Sequence, residues 1–189
     1  MPLTGLNKKA GFTMMEMLVL DKNKHDRKSF TCGNAQLDKF LKEQANKAEH
    51  EDRSRTKILV DSEIPSQIIG FYTLSYGEIP KAPAGSLLAK YPHPLPVLIL
   101  GRMGVDLKFQ KQRVGEQLLL DAIFQVARMK LEKLTTVPVV GLVIDAKDDG
   151  AKSFYQKYGF TVMDEGVDPL RLWLPAPTCA GIYLEANGN

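Results

Sequence analysis

Apolar and polar positions change period along the chain, and the changes mark its elements. Between Val114 and Lys130 the apolar residues Leu119, Ala122, Ile123 and Val126 recur at i, i+3, i+4 and i+7. That spacing predicts a helix over 114–130 with one buried stripe. On either side lie nearly continuous apolar runs, VLILGRMGVD and VPVVGLVIDA. Runs of this kind suit strands covered on both faces. Strand 97–106, helix 114–130 and strand 137–145 thus read as a parallel crossover.

Upstream, MEMLVLD reads as a first strand near Met17–Leu20. Asn34 is placed to cap a helix whose buried face carries Leu37, Phe40 and Leu41. TKILVD and SQIIGFYTLSYGEI read as two strands joined by the turn SEIPS. The stretch PKAPAGSLLAKYPHPLP holds five prolines, so a loop or short broken helix is expected. Downstream, DDGAKSFYQKYGF reads as a helix capped by Asp148, with Gly159 where a left-handed residue ends it. FTVM and RLWLP would be closing strands. Residues 1–16 read as a loose start and 176–189 as a tail. The expectation is a single α/β domain over 1–189, a mixed central sheet with helices on both faces.

Composition narrows this modestly. Of 189 residues, 44% are hydrophobic, enough for a real core. The net charge of +3 is mild and does not by itself argue for nucleic acid. Cys32 and Cys179 form neither a disulfide framework nor a metal-ligand spacing, so no metal is expected. The apolar runs are too short to span a membrane, and a reduced cytoplasmic setting is the default.

In such sheets ligands bind beyond the carboxyl ends of the central strands. There the sequence reads FQKQRVGEQLLLDA, a basic loop opening a helix. Free N–H groups and the helix dipole favour an anion, Gly115 allows close approach, and Lys111 and Arg113 add charge. The spacing is neither that of a nucleoside triphosphate loop nor that of a dinucleotide fingerprint, so a pyrophosphate on another cofactor fits better. Taken alone, an ordinary solvated basic loop is the preferred reading.

LGRMGVDLKFQKQRVGEQLLLDA, followed by AKSFYQKYGF, resembles the GNAT superfamily of N-acetyltransferases. Gln110 fills the first place of that family's phosphate loop and Gly115 the last. Arg113 stands where the first glycine is usual, tolerable if its φ is negative and its side chain points to solvent, from where it could reach a phosphate. Ala151–Phe160 looks like the family's last helix, with Tyr155 at the general-acid position. Phe154, Tyr155 and Tyr158 could also be plain core aromatics.

The chain looks closest to acetyltransferase toxins of toxin–antitoxin pairs, through FTCGNAQLDKFL, IIGFYTLSYGEIP, YPHPLPVLILGRMGVD and RLWLP. This implies acetyl-coenzyme A as co-substrate and the α-amino group of aminoacyl-tRNA as acceptor, blocking translation. The alternative acceptor is a small amine or a protein N-terminus. It further implies a ribbon-helix-helix antitoxin and a homodimer as partners. The GNAT fold implies a splayed strand at the cofactor site, with Met103 and Val105 pairing to the pantetheine arm. Gln110, Lys111, Gln112, Arg113, Val114, Gly115 and Glu116 would meet the pyrophosphate, and Phe154 would pack on the sheet or the cofactor. Gly101 and Gly104 suit a strand that bulges or is approached closely.

Three histidines are present, none after residue 93, so no histidine base lies in these motifs. An α-amine, with pKa near ~8, is partly neutral at cell pH, whereas a lysine near ~10.4 is not. Asp106 and Asp145 read as strand-end caps rather than bases. Tyr155 would protonate the leaving thiolate, and neither cysteine is expected to be a nucleophile. The region 22–57, with ten basic residues, is a candidate tRNA face or an ordinary wet helix. Arg102 could meet a phosphate or the tRNA 3′ end, or serve in a structural ion pair.

Overall fold

The computed structural model describes residues 14–80, 94–133 and 138–188. The expected loose start falls largely outside these, as do most of the proline-rich stretch, His93 and Val137. The described elements are β1 (Met15–Val19), α1 (Ala35–Lys39), a π-helical turn (Phe40–Gln44), α2 (Ala45–His50), β2 (Arg55–Asp61), β3 (Ile64–Ile79), β4 (Leu95–Val105), a 3-10 turn (Leu107–Phe109), α3 (Val114–Leu131), β5 (Gly141–Asp145), α4 (Asp149–Gln156), β6 (Thr161–Asp164), β7 (Asp168–Pro175) and α5 (Ala176–Ala186). The strand order in the mixed sheet is β1-β2-β3-β4-β5-β7-β6. β4 and β5 run parallel, from Leu98↔Leu142 to Leu100↔Ile144, with α3 as their crossover. The pairs β1–β2, β2–β3, β5–β7 and β6–β7 are antiparallel.

The chain gathers into two compact units. One holds residues up to Leu74 with Arg102–Asp121, the other Ser75–Gly101 with residues from Ala122 onward. β3, β4 and α3 each contribute to both.

In the first unit Asn34 caps α1, its side chain accepting from the N–H groups of Gln36 and Leu37. The expected single helix is broken by the π turn at Phe40–Gln44, where the Lys42 carbonyl accepts from Arg27 Nη1. Phe40 and Leu41 are buried and Leu37 partly so. They pack with Leu20, Phe30, Ile58, Val60, Ile68 and Phe71, and Phe71 meets Phe30 edge-on and stacks on Phe40. Each such side chain contributes about 1.5–3 kcal/mol on burial. The turn joining β2 to β3 is shorter than SEIPS. Asp61 pairs with Ile64, so Ser62 and Glu63 alone form the connection and Pro65 already lies in β3. The proline is tolerated because it sits at the exposed start of the strand.

In the second unit Ile79, Leu95, Val97 and Val143 form the core, with Ile99, Val140, Met163 and Trp173 against it. Gly141 is required, since a Cβ there would lie 2.4 Å from the Leu174 carbonyl oxygen. Asp148 caps α4 by accepting from Ala151 N, and Gly159 takes φ +86°. The residues expected to be a tail instead form α5, and Phe124 of α3 packs edge-on against its Tyr183.

Candidate active site

Within the first unit the carboxyl end of β4 opens onto the loop. The parallel ladder with β5 ends at Leu100, while β4 itself continues to Val105. Met103 and Val105 lie on this stretch, half-buried. A Cβ on Gly101 would meet nothing within 4 Å, whereas one on Gly104 would come within 3.0 Å of the Phe71 ring. Gly104 is thus fixed by packing, and Gly101 leaves open space beside the strand.

β4 ends because Asp106 turns the chain. Its carboxylate accepts from the Thr31 and Lys108 N–H groups, both at 3.0 Å, which makes it a cap rather than a base. Gln110 then pins the loop, its Nε2 donating to the carbonyls of Cys32 (3.0 Å) and Val105 (3.1 Å). Gln112 Nε2 donates to the Lys108 carbonyl. Both glutamine side chains hold the loop's shape through these bonds. Val114 is fully buried, so only its backbone remains available there.

Lys111 (φ +63°) and Arg113 (φ +61°) are left-handed. The condition under which arginine would be tolerated without strain here, a negative φ, is not met. The loop demands the glycine-like conformation, and arginine takes it at a cost of roughly 1–2 kcal/mol. The side chain does reach solvent, but it also grips Glu116 through Nε (2.7 Å) and Nη2 (3.1 Å). So exposed a pair returns about 0.2–1 kcal/mol.

What remains is an anion cradle. The N–H groups of 112–115 find no protein acceptor among the described residues. A Cβ on Gly115 would meet only Val105 Cγ2, at 4.0 Å, so the space over the helix start is open. These features fit a pyrophosphate at the start of α3. Arg102 sits beside Gly101, its guanidinium 4.0 Å from the Phe40 ring centroid. No ion pair of Arg102 is found among the described residues.

Tyr155 and Phe154 belong to α4 of the second unit. The Tyr155 ring lies edge-on to Phe154 and tilted to Phe160. Phe154 also meets Tyr158 edge-on. The Tyr155 hydroxyl has no protein partner among the described residues. Burial, then the Asp148 charge, raises its pKa, so the phenol keeps its proton at neutral pH.

Several other candidates have partners within the protein. Asp145 pairs with Arg171 across β5 and β7 (3.4 Å). His25 is buried, and its Nδ1 accepts from Asp21 N at 2.9 Å. Burial raises the Cys32 thiol to about 11 and the Cys179 thiol to about 12, far from nucleophilic thiolates. In the basic region 22–57, Lys24, Lys47, Arg53, Arg55 and Lys57 are paired with acids. Sequence reasoning missed one buried cluster, in which Asp121 receives both Lys57 Nζ and Tyr72 Oη. The available signal was an aspartate inside the apolar run LLLDAIF. No group of three potential metal ligands occurs among the described residues, and no described helix is long and apolar enough to cross a membrane.

Residues 53–162 match the family model described as an acetyltransferase (GNAT) domain. A "tRNA-acetylating toxin" of Mycobacterium tuberculosis is 30% identical over 150 residues, covering 79% of this chain and 85% of the relative. The fold matches a variant AtaT toxin bound to the C-terminus of the antitoxin AtaR and acetyl-CoA (TM-score 0.74, 24% identity, 89% of this chain and 98% of that one). It also matches AtaT complexed with acetyl-methionyl-tRNA (TM-score 0.77, 24% identity, 89% of this chain and 99% of that one).

Proposed function

Because the chain belongs to the GNAT acetyltransferase family, we propose that it transfers the acetyl group of acetyl-coenzyme A to the α-amino group of aminoacyl-tRNA and so blocks translation. The observation that carries this reading is the tRNA-acetylating relative, aligned over most of both chains.

Acetyl-coenzyme A supplies the acetyl group as a thioester. In this reading the N–H groups of 112–115, with Lys111 alongside, bind its pyrophosphate. The edge of β4 at Met103 and Val105 pairs with its amide-rich arm. Tyr155 holds the proton that the departing sulfur takes up, and its raised pKa keeps that proton in place until charge develops. The acceptor is a low-pKa α-amine, so it needs no strong protein base. That agrees with Asp106 and Asp145 being committed elsewhere and His25 being buried. Arg102, stacked on Phe40 and without an ion pair among the described residues, is suited to a phosphate at the tRNA 3′ end. The whole chain would act as one acetyltransferase domain in the cytoplasm, as a homodimer restrained by a ribbon-helix-helix antitoxin.

The test is incubation of the purified protein with labelled acetyl-coenzyme A and a pool of charged tRNA. Label should appear on the tRNA as an N-acetyl group. Label appearing instead on a small amine or a protein N-terminus, with none on tRNA, would overturn the reading.

A further inference from the structure

The guanidinium of Arg102 is held by a ring rather than by an acid. Its Cζ lies 4.0 Å from the Phe40 centroid, while Arg102 as a whole is exposed. No carboxylate pairs with it among the described residues, and the rest of the chain contains no aspartate or glutamate. The two kinds of partner differ in what they leave over. A carboxylate would orient the side chain and cancel its charge. An aromatic face orients it and leaves the charge and the in-plane N–H donors for a second partner.

Phe40 is anchored as such a face. It is 4% exposed and stacks on Phe71, with centroids 6.4 Å apart and planes at 20°. Phe71 in turn packs against Phe30 and so closely on Gly104 that a Cβ there would come within 3.0 Å of it. The π turn makes this placement of Phe40 possible. The Ala45 N–H reaches back five residues to the Phe40 carbonyl. On a regular α-helix two such residues would point about 140° apart. With the extra residue taken up in the turn, both are buried in one cluster. Arg27 holds the turn from outside, its Nη1 donating to the Lys42 carbonyl at 2.9 Å.

We propose that Phe40 is a positioning residue for the acceptor: its ring aims the Arg102 guanidinium at a phosphate of the incoming aminoacyl-tRNA, and the π turn held by Arg27 keeps the ring in place. The proposal rests on the aminoacyl-tRNA reading and adds the apparatus behind Arg102. The ring takes no charge from the guanidinium, so the phosphate meets a full cation. The long side chain is ordered in advance, so less rotamer entropy is lost when the tRNA docks.

The experiment is steady-state acetylation of charged tRNA by the full-length protein across a range of salt concentrations, with calorimetric titration of acetyl-coenzyme A alongside. The proteins are wild type, Phe40→Met, Phe40→Tyr, Arg27→Gln and Arg102→Gln, with the first and third of these variants also combined with Arg102→Gln. Phe40→Met stays apolar but has no aromatic face, and it should raise KM for charged tRNA about 2- to 5-fold, the factor of one exposed cation–π contact. Its kcat and acetyl-coenzyme A affinity should stay within about twofold of wild type. Phe40→Tyr keeps the ring and should keep the wild-type KM. Arg27→Gln should raise KM in the same direction. In the Arg102→Gln background neither Phe40→Met nor Arg27→Gln should add anything. Arg102→Gln should also flatten the dependence of log KM on log salt by about 0.7, the share of one single-strand phosphate. Melting temperatures show which variants fold, and if Phe40→Met does not, the cycle with Arg27→Gln decides. Equal effects with and without Arg102, or an equally large loss of acetyl-coenzyme A affinity, overturn the positioning role. An unchanged salt slope in Arg102→Gln overturns the phosphate as its partner. A folded wild type that acetylates no charged tRNA overturns the functional reading instead.

Discussion

Asp121 in α3 holds the ammonium of Lys57, a residue of β2, at 2.7 Å, and the same oxygen receives the Tyr72 hydroxyl. Tyr72 is fully buried and Asp121 nearly so. Removing the carboxylate leaves a cation and a phenol in a half-dry place. Asp121→Ala should therefore destabilise the protein by about 3 kcal/mol, which urea unfolding would show. Lys57→Met together with Asp121→Leu should recover much of that loss, because no charge is then left unpaired.

Tyr155→Phe should leave acetyl-coenzyme A affinity within about threefold and lower the transfer rate at least ~10²-fold. Single-turnover kinetics separates the two. Since burial raises the phenol's pKa, the wild-type rate should not fall on the alkaline side until above pH ~10, the ordinary phenol value. A rate loss well below that pH would assign the proton to another group.

Arg102→Lys keeps the charge but loses the flat guanidinium that lies on Phe40. Arg102→Gln loses the charge as well. For a residue that positions the acceptor, KM for charged tRNA should rise about tenfold in Arg102→Gln with kcat little changed, and less in Arg102→Lys. A fall in kcat for both variants at unchanged KM would count against that role.

His25 gives the fold an acid limit. Burial lowers its pKa from the ordinary 6.5. Below pH 6.5 the unfolded chain therefore binds a proton that the folded chain refuses. Stability should be fully present above pH 6.5 and decline as pH falls toward the folded-state pKa. In His25→Gln the slope of unfolding free energy against pH below 6.5 should flatten.

The periodic parts of this fold were legible because local pattern and tertiary packing agree. Leu119, Ala122, Ile123 and Val126 are all fully buried, and Asp148 and Gly159 do what their types suggest. α5 was hidden because Ala176–Ala186 is apolar nearly all round, bears a proline in its first turn and shows no amphipathic stripe. The Asp121 cluster joins three elements far apart in sequence, so no local window contains it. The site was half legible. Residue types pointed to the anion loop and the family resemblance pointed to Tyr155, but nothing in the order of letters tells that Gln110 faces two carbonyls or that Arg113 is left-handed.

The tethering of loop 110–113 has a thermodynamic consequence. Gln110, Gln112 and Arg113 each anchor it to groups of the protein itself. Folding, not binding, therefore bears the conformational entropy of this segment. A co-substrate meets a mould already set, and its capture should owe more to the ionic strength of the medium than to any rearrangement of the backbone.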